Sequence, residues 1–194
     1  AVHMGRHDKV GFYSLETSPA KLTNRIIANR AIVDFGRINR REMTQEEWER
    51  VVRLKGEIME SDVELIPASG WSVQDILSTA LQRRHKIIFI DYLQQLTGRG
   101  KDRFEQVTRI SLDLHAMAQT HGILVVALSQ LNRASTARPD AAPTLTDLRE
   151  SGQIEQDADA VLALYINEDE NAPPNERCLQ VLKNKEGRLG KVRL

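Results

Sequence analysis

The chain has 194 residues, enough for one domain with a sizeable core; 41% are apolar and 5% aromatic, which suits an aliphatic α/β core better than a β-sandwich. Lysine plus arginine and aspartate plus glutamate both number 27, so the formal charge is zero; that argues against a DNA-coating protein but leaves room for a local basic stripe. A single cysteine, Cys178, excludes an internal disulfide, and no apolar run approaches the roughly 18 residues of a membrane helix, so a soluble cytoplasmic protein without a membrane anchor is expected.

Taken in chain order, residues 1–5 read as the tail of a helix with Gly5 as its stop signal. Residues 10–14 (Val-Gly-Phe-Tyr-Ser) form a short buried strand, and Ser18-Pro19 starts a helix with Leu22, Ile26 and Ile27 as its apolar stripe. Thr44-Gln-Glu-Glu47 is a capping box, and Trp48, Val51, Val52, Ile58 and Met59 follow at helical spacing. Residues 63–66 make a strand stopped by Pro67, and Ser72 with Asp75 starts a helix that runs to about Arg84.

Ile87-Ile-Phe-Ile90 is a continuous apolar run closing on Asp91, the pattern of a strand buried on both faces. A long helix through Phe104, Val107, Ser111, Leu114 and Ala118 ends near Gly122, and residues 123–128 form a second fully apolar strand. Residues 160–165 and 179–182 are late strands joined by an acidic, proline-bearing turn, with Cys178 as a small core residue. This strand–helix alternation predicts a parallel sheet covered by helices.

In such sheets ligands gather at the carboxyl ends of the strands, where this sequence places Glu16, Asp91, Ser129 and Gln130. Asp91 fits an aspartate that holds the Mg²⁺ bridging nucleotide phosphates, although a helix cap or turn would use the same residue. Glu16 could orient an attacking water or simply be a solvated or capping acid. Gln130 could report a γ-phosphate or belong to an ordinary polar loop.

Ser14-Leu-Glu16, Ile90-Asp-Tyr-Leu-Gln94, Ala127-Leu-Ser-Gln-Leu-Asn-Arg133 and Asp147-Leu-Arg-Glu-Ser-Gly-Gln-Ile-Glu-Gln-Asp-Ala-Asp159 occur here in one order and spacing. With these four strings the chain resembles the replicative DNA helicases of the DnaB family, from about Val10 to Leu194. The resemblance implies a RecA-like P-loop NTPase fold, a mostly parallel sheet flanked by helices with the late strands extending it, as a single motor domain over residues 1–194. It implies ATP with Mg²⁺ as cofactors, single-stranded DNA as ligand and a homo-hexamer as assembly, with primase and a helicase loader as partners of a full-length protein.

By the same resemblance Glu16 is the catalytic base, Asp91 the Mg²⁺-holding aspartate and Gln130 the γ-phosphate sensor. Arg149, Glu150 and Gly152 lie in a loop that holds the single-strand backbone, with Arg133 beside it. An arginine and backbone N–H groups can hold phosphates without reading bases. Loop 134–144, with Arg138, is expected to face the same channel or to be an ordinary solvated loop. Lys183 and Lys185 match the pair that reaches a neighbour's γ-phosphate. Lysine at 185 departs from the usual arginine and lacks its planar fork, so Arg188 is an alternative for that role.

The phosphate-binding pattern Gly-x-x-x-x-Gly-Lys-Ser/Thr does not occur in these residues. Gly98-Arg-Gly-Lys-Asp102 has neither its spacing nor its hydroxyl and reads as a surface loop. The expectation is therefore an ATP-dependent helicase motor whose phosphate cradle lies upstream, with these residues inactive alone. The alternatives are a RecA-type ATPase of a recombination or clock family, or a non-catalytic oligomerisation or DNA-binding module.

Overall fold

The computed structural model describes residues 1–131, 142–148, 152–167, 173 and 176–194, with the side chains of Lys55, Glu57 and Met59 left out. The Met59 side chain, Arg133, most of the 134–144 loop including Arg138, Arg149, Glu150 and much of the acidic turn therefore lie outside the described residues. The chain divides into two compact units. One comprises residues 1–97 and 117–128; the other comprises 98–116 and 129–194.

The first unit holds four parallel strands in the order β2-β1-β3-β4. They are β1 (Val10–Ser14), β2 (Val63–Pro67), β3 (Ile87–Asp91) and β4 (Leu124–Ala127). Helices α1 (Pro19–Ala31), α2 (Phe35–Arg40) and α3 (Gln45–Glu60) lie between β1 and β2 in sequence, and α4 (Val73–Arg83) lies between β2 and β3. Helix α5 (Arg103–His121) connects β3 to β4 and is divided between the units. Val10 sits opposite Val63 and Ile87, and Ser14 opposite Pro67 and Asp91, so the carboxyl ends of β1 and β3 finish level.

Local sequence accounts for most of these boundaries. The Ser18 hydroxyl accepts from the Lys21 N–H with Pro19 at the first helical position. Thr44 and Glu47 make both bonds of the expected capping box, and Ser72 with Asp75 makes a second one. Val10, Tyr13, Ile76, Ala80, Ile88 and Ile90 are fully buried. Each isoleucine side chain so enclosed contributes about 1.5–3 kcal/mol of burial free energy.

One local reading needs correction. Gly5 does not stop a helix: it lies in a 3-10 turn, Met4–Arg6, is buried, and its carbonyl accepts from the Asp62 N–H. A Cβ there would collide with the Val63 side chain, so the glycine serves close packing. The 123–128 run forms the expected strand over Leu124–Ala127. Among the described residues β4 pairs only with β3 in this sheet, and Leu124 and Leu128 are 50% and 42% exposed.

The second unit contains α6 (Gly152–Asp157) and the late strands β5 (Ala160–Ile166), β6 (Arg177–Asn184) and β7 (Gly190–Arg193). Expected to extend the parallel sheet, these strands pair with one another in an antiparallel sheet of their own, β5-β6-β7. Val161 and Ala163 are buried while Leu162, Leu164 and Ile166 are exposed, the two-residue alternation of a sheet with one face covered. Cys178 is fully buried, as its apolar setting suggested. Residues 98–102 are exposed, and Asp102 caps α5 by accepting from the Glu105 N–H.

Candidate active site

The ends of β1 and β3 bring Glu16 and Asp91 together. The Leu15 N–H donates to the Asp91 carbonyl at 2.9 Å, and the Ala68 N–H donates to the Ser14 carbonyl at 2.8 Å. The chain leaving β1 is thereby tied to both neighbouring strands. The buried Ser14 hydroxyl closes the turn from inside: it donates to the Thr17 carbonyl at 2.7 Å and accepts from the Thr17 N–H at 3.2 Å. Glu16, between these fixed points, presents an exposed carboxylate from a backbone that has little freedom.

Asp91 is half-buried, and its carboxyl is pushed above the ordinary range. Burial is the main cause and the Glu16 charge adds to it, whereas Arg25 on α1 opposes them. Arg25 also lies over the Phe35 ring, 6.0 Å from its centre. The two acids are therefore close enough to repel each other, with one guanidinium within electrostatic reach. Sequence reading missed Arg25 and named Ser14 within a motif without giving it this turn-closing role. An arginine on a helix usually marks a solvated face, and a strand-end serine carries no distinctive spacing.

An acid pair short of positive charge fits a divalent cation, and carboxylate oxygens are the donors Mg²⁺ prefers. Among the described residues, no group of three or more His, Cys, Asp or Glu side chains could hold a metal ion. Asp91, with Glu16 beside it, could contribute a donor to such a cation.

Gln130 comes three residues after the end of β4 in sequence, belongs to the second unit and is exposed. In that unit the expected basic residues fall on the α6–β5–β6 junction. Lys183 Nζ donates to the carbonyls of Glu155 and Gln156, and Lys185 Nζ pairs with Asp159 at 2.7 Å. The Lys185 ammonium holds the Asp159 carboxyl below its ordinary value. Arg188 is exposed on the turn that follows. Gly152 opens α6. Asp157 receives hydrogen bonds from Ser111 on one oxygen and from Gln153 on the other, both at 2.7 Å, which seats α6 on α5.

No helix among the described residues is long and apolar enough to cross a membrane. The whole chain, residues 1–194, matches the family described as DnaB-like helicase C terminal domain. It is 37% identical over 165 residues to the replicative DNA helicase DnaB of Rickettsia typhi, covering 82% of this chain and 33% of that protein. To the DnaB of Geobacillus stearothermophilus it is 30% identical over 198 residues, covering 97% and 44%. A probable plasmid replicative DNA helicase of Chlamydia trachomatis is 36% identical over 184 residues, covering 92% and 40%.

Among solved structures, an ATPase domain superposes with a TM-score of 0.92 at 35% identity, covering 100% of this chain and 73% of that one. A DnaB-like replicative helicase, described with its interactions with primase, gives 0.89 at 35%, covering 96% and 48%. The chain spans between a third and a half of the length of these curated relatives. Its parallel sheet with flanking helices is the fold of those ATPase domains, and the match decides against the recombination and clock ATPases. The chain belongs to the DnaB-like helicase C-terminal domain family.

Proposed function

We propose that this chain is the motor domain of an ATP-dependent replicative DNA helicase that unwinds duplex DNA by 5′–3′ movement on single-stranded DNA as a homo-hexameric ring. The observation that carries this reading is the acid pair: an exposed Glu16 on a turn fixed by its backbone, beside a half-buried Asp91 of raised proton affinity. Glu16 accepts the proton of the water that attacks the γ-phosphate, and the turn closed by Ser14 keeps that carboxylate aimed. Asp91 holds the nucleotide's metal ion, and Arg25 favours its ionised form. Mg²⁺, when bound with ATP, supplies the positive charge that the β- and γ-phosphates require.

Gln130 reports the presence of the γ-phosphate, while Lys183 and Lys185, with Arg188 as the alternative, reach a neighbouring subunit's nucleotide. Arg133, Arg149, Glu150 and Gly152 line the path of single-stranded DNA. The phosphate cradle is supplied by sequence outside these 194 residues, which are inactive alone. Primase and a helicase loader are partners of the full-length protein.

Glu16→Gln in the full-length protein tests this reading. Steady-state ATP turnover should fall by about 10²- to 10⁴-fold, while binding of an ATP analogue survives. Full turnover would remove Glu16 from the role of base and return the chain to a non-catalytic module.

A further inference from the structure

The lysines assigned to a neighbour's nucleotide already have partners within their own chain. β5 and β6 pair with Ala160 opposite Asn184 and Val161 opposite Lys183, so the end of β6 returns to the junction of α6 and β5. There Lys183 Nζ donates to the Glu155 and Gln156 carbonyls at 2.5 and 3.1 Å. These carbonyls lie in the last turn of α6, where a helix leaves acceptors without intrahelical donors. Lys185 is held twice by one residue: its N–H donates to the Asp159 carbonyl at 2.9 Å, and its Nζ pairs with the Asp159 carboxylate at 2.7 Å.

We propose that these contacts form a latch: Asp159 and the end of α6 hold Lys185 and Lys183 within their own subunit until a neighbour's γ-phosphate replaces them. The proposal rests on the trans role given to the lysines above and adds the competitor that regulates it. An ammonium that donates to a carboxylate or a carbonyl must give up that bond to reach a phosphate oxygen. Lys185 and Asp159 side chains are 42% and 78% exposed, so their pair is weak enough to be exchanged for a more highly charged partner. Release of Lys183 also uncaps α6, whose first residue, Gly152, adjoins the segment assigned to DNA. Asp157 holds α6 independently through Ser111 and Gln153, so the helix keeps an anchor when the lysine leaves.

A latch makes only a fraction of the lysines available, and apparent affinity falls by that fraction. The test uses the assembled full-length protein, titrated by fluorescence with AMP-PNP and, separately, with ADP, which lacks the γ-phosphate. Asp159→Ala should tighten AMP-PNP binding by about two- to fivefold and leave ADP binding unchanged, whereas Lys185→Ala should weaken AMP-PNP binding. Asp159→Asn, which keeps the shape and an acceptor oxygen, should shift AMP-PNP affinity the same way by less, and it covers the case in which the alanine variant fails to fold. If Lys185→Ala weakens AMP-PNP binding and neither Asp159 variant tightens it, the latch is wrong and the trans role stands. If Lys185→Ala changes neither AMP-PNP affinity nor ATP turnover, the trans role fails and the latch fails with it.

Discussion

Glu16 and Asp91 stand on strand ends whose backbone is hydrogen-bonded to neighbouring strands, whereas Lys183 and Lys185 carry their charges on flexible stems tethered at the tip. The strands beneath them differ in the same sense. β1 and β3 lie within a parallel sheet and bury Val10, Tyr13, Ile88 and Ile90 completely, while β5 exposes every second residue and β7 is exposed throughout. A group that must hold a water or a metal ion in place benefits from a rigid support. A group that must leave one partner for another needs a support it can give up.

The largest expected effect on stability comes from the parallel sheet. Ile88→Ala removes a fully buried side chain from β3 and should cost about 2–5 kcal/mol in urea unfolding, whereas Leu162→Ala, at a position 60% exposed, should stay within about 0.5 kcal/mol. Equal losses at both positions would erase the difference drawn between the two sheets.

A smaller effect should appear with pH. The His85 side chain is fully buried; its Nδ1 is 3.0 Å from the Tyr13 hydroxyl, and its Nε2 has no hydrogen-bond partner among the described residues but lies 3.6 Å from Glu64. Burial pushes the imidazole below its usual value, Glu64 pulls it up, and Lys9 and Arg83 push it down again. The unfolded chain therefore takes up a proton near the ordinary value of 6.5 that the folded one takes up only at lower pH. Stability should fall as pH drops from above 6.5 to the folded value and then level off. His85→Gln should flatten that slope in unfolding curves measured between pH 5 and about pH 7.5; an unchanged slope would place its origin elsewhere.

The smallest effect concerns the second unit. Lys183→Met keeps the aliphatic stem but removes the charge at the end of α6, and should cost about 0.3–1 kcal/mol in the same assay. A loss as large as that of Ile88→Ala would make Lys183 a structural residue and not an exchangeable one.

The parallel-sheet strands and helix starts were legible because short-range rules govern them. Apolar runs ending in Asp91 or Ser14, and hydroxyl–acid pairs such as Thr44 with Glu47, mark elements within a few residues. Gly5 was misread because a helix stop and a close packing contact use the same residue, and only the Val63 side chain tells them apart. Arg25 and the turn-closing role of Ser14 escaped because their partners lie elsewhere on the sheet or on the backbone of the turn itself.

By itself the sequence determined most of the strands and helices (though not α2 or β7), the polar residues that end them and, through four motif strings, the family. Those properties depend on periodicity and local hydrogen bonding, which adjacent residues carry. Only the tertiary structure decided that β5, β6 and β7 form their own antiparallel sheet, that the Glu16 charge helps to raise the Asp91 carboxyl, and that Lys183 and Lys185 are engaged at the end of α6. Register across strands and charge at a distance bring together residues far apart in the chain, and no local pattern encodes the partner.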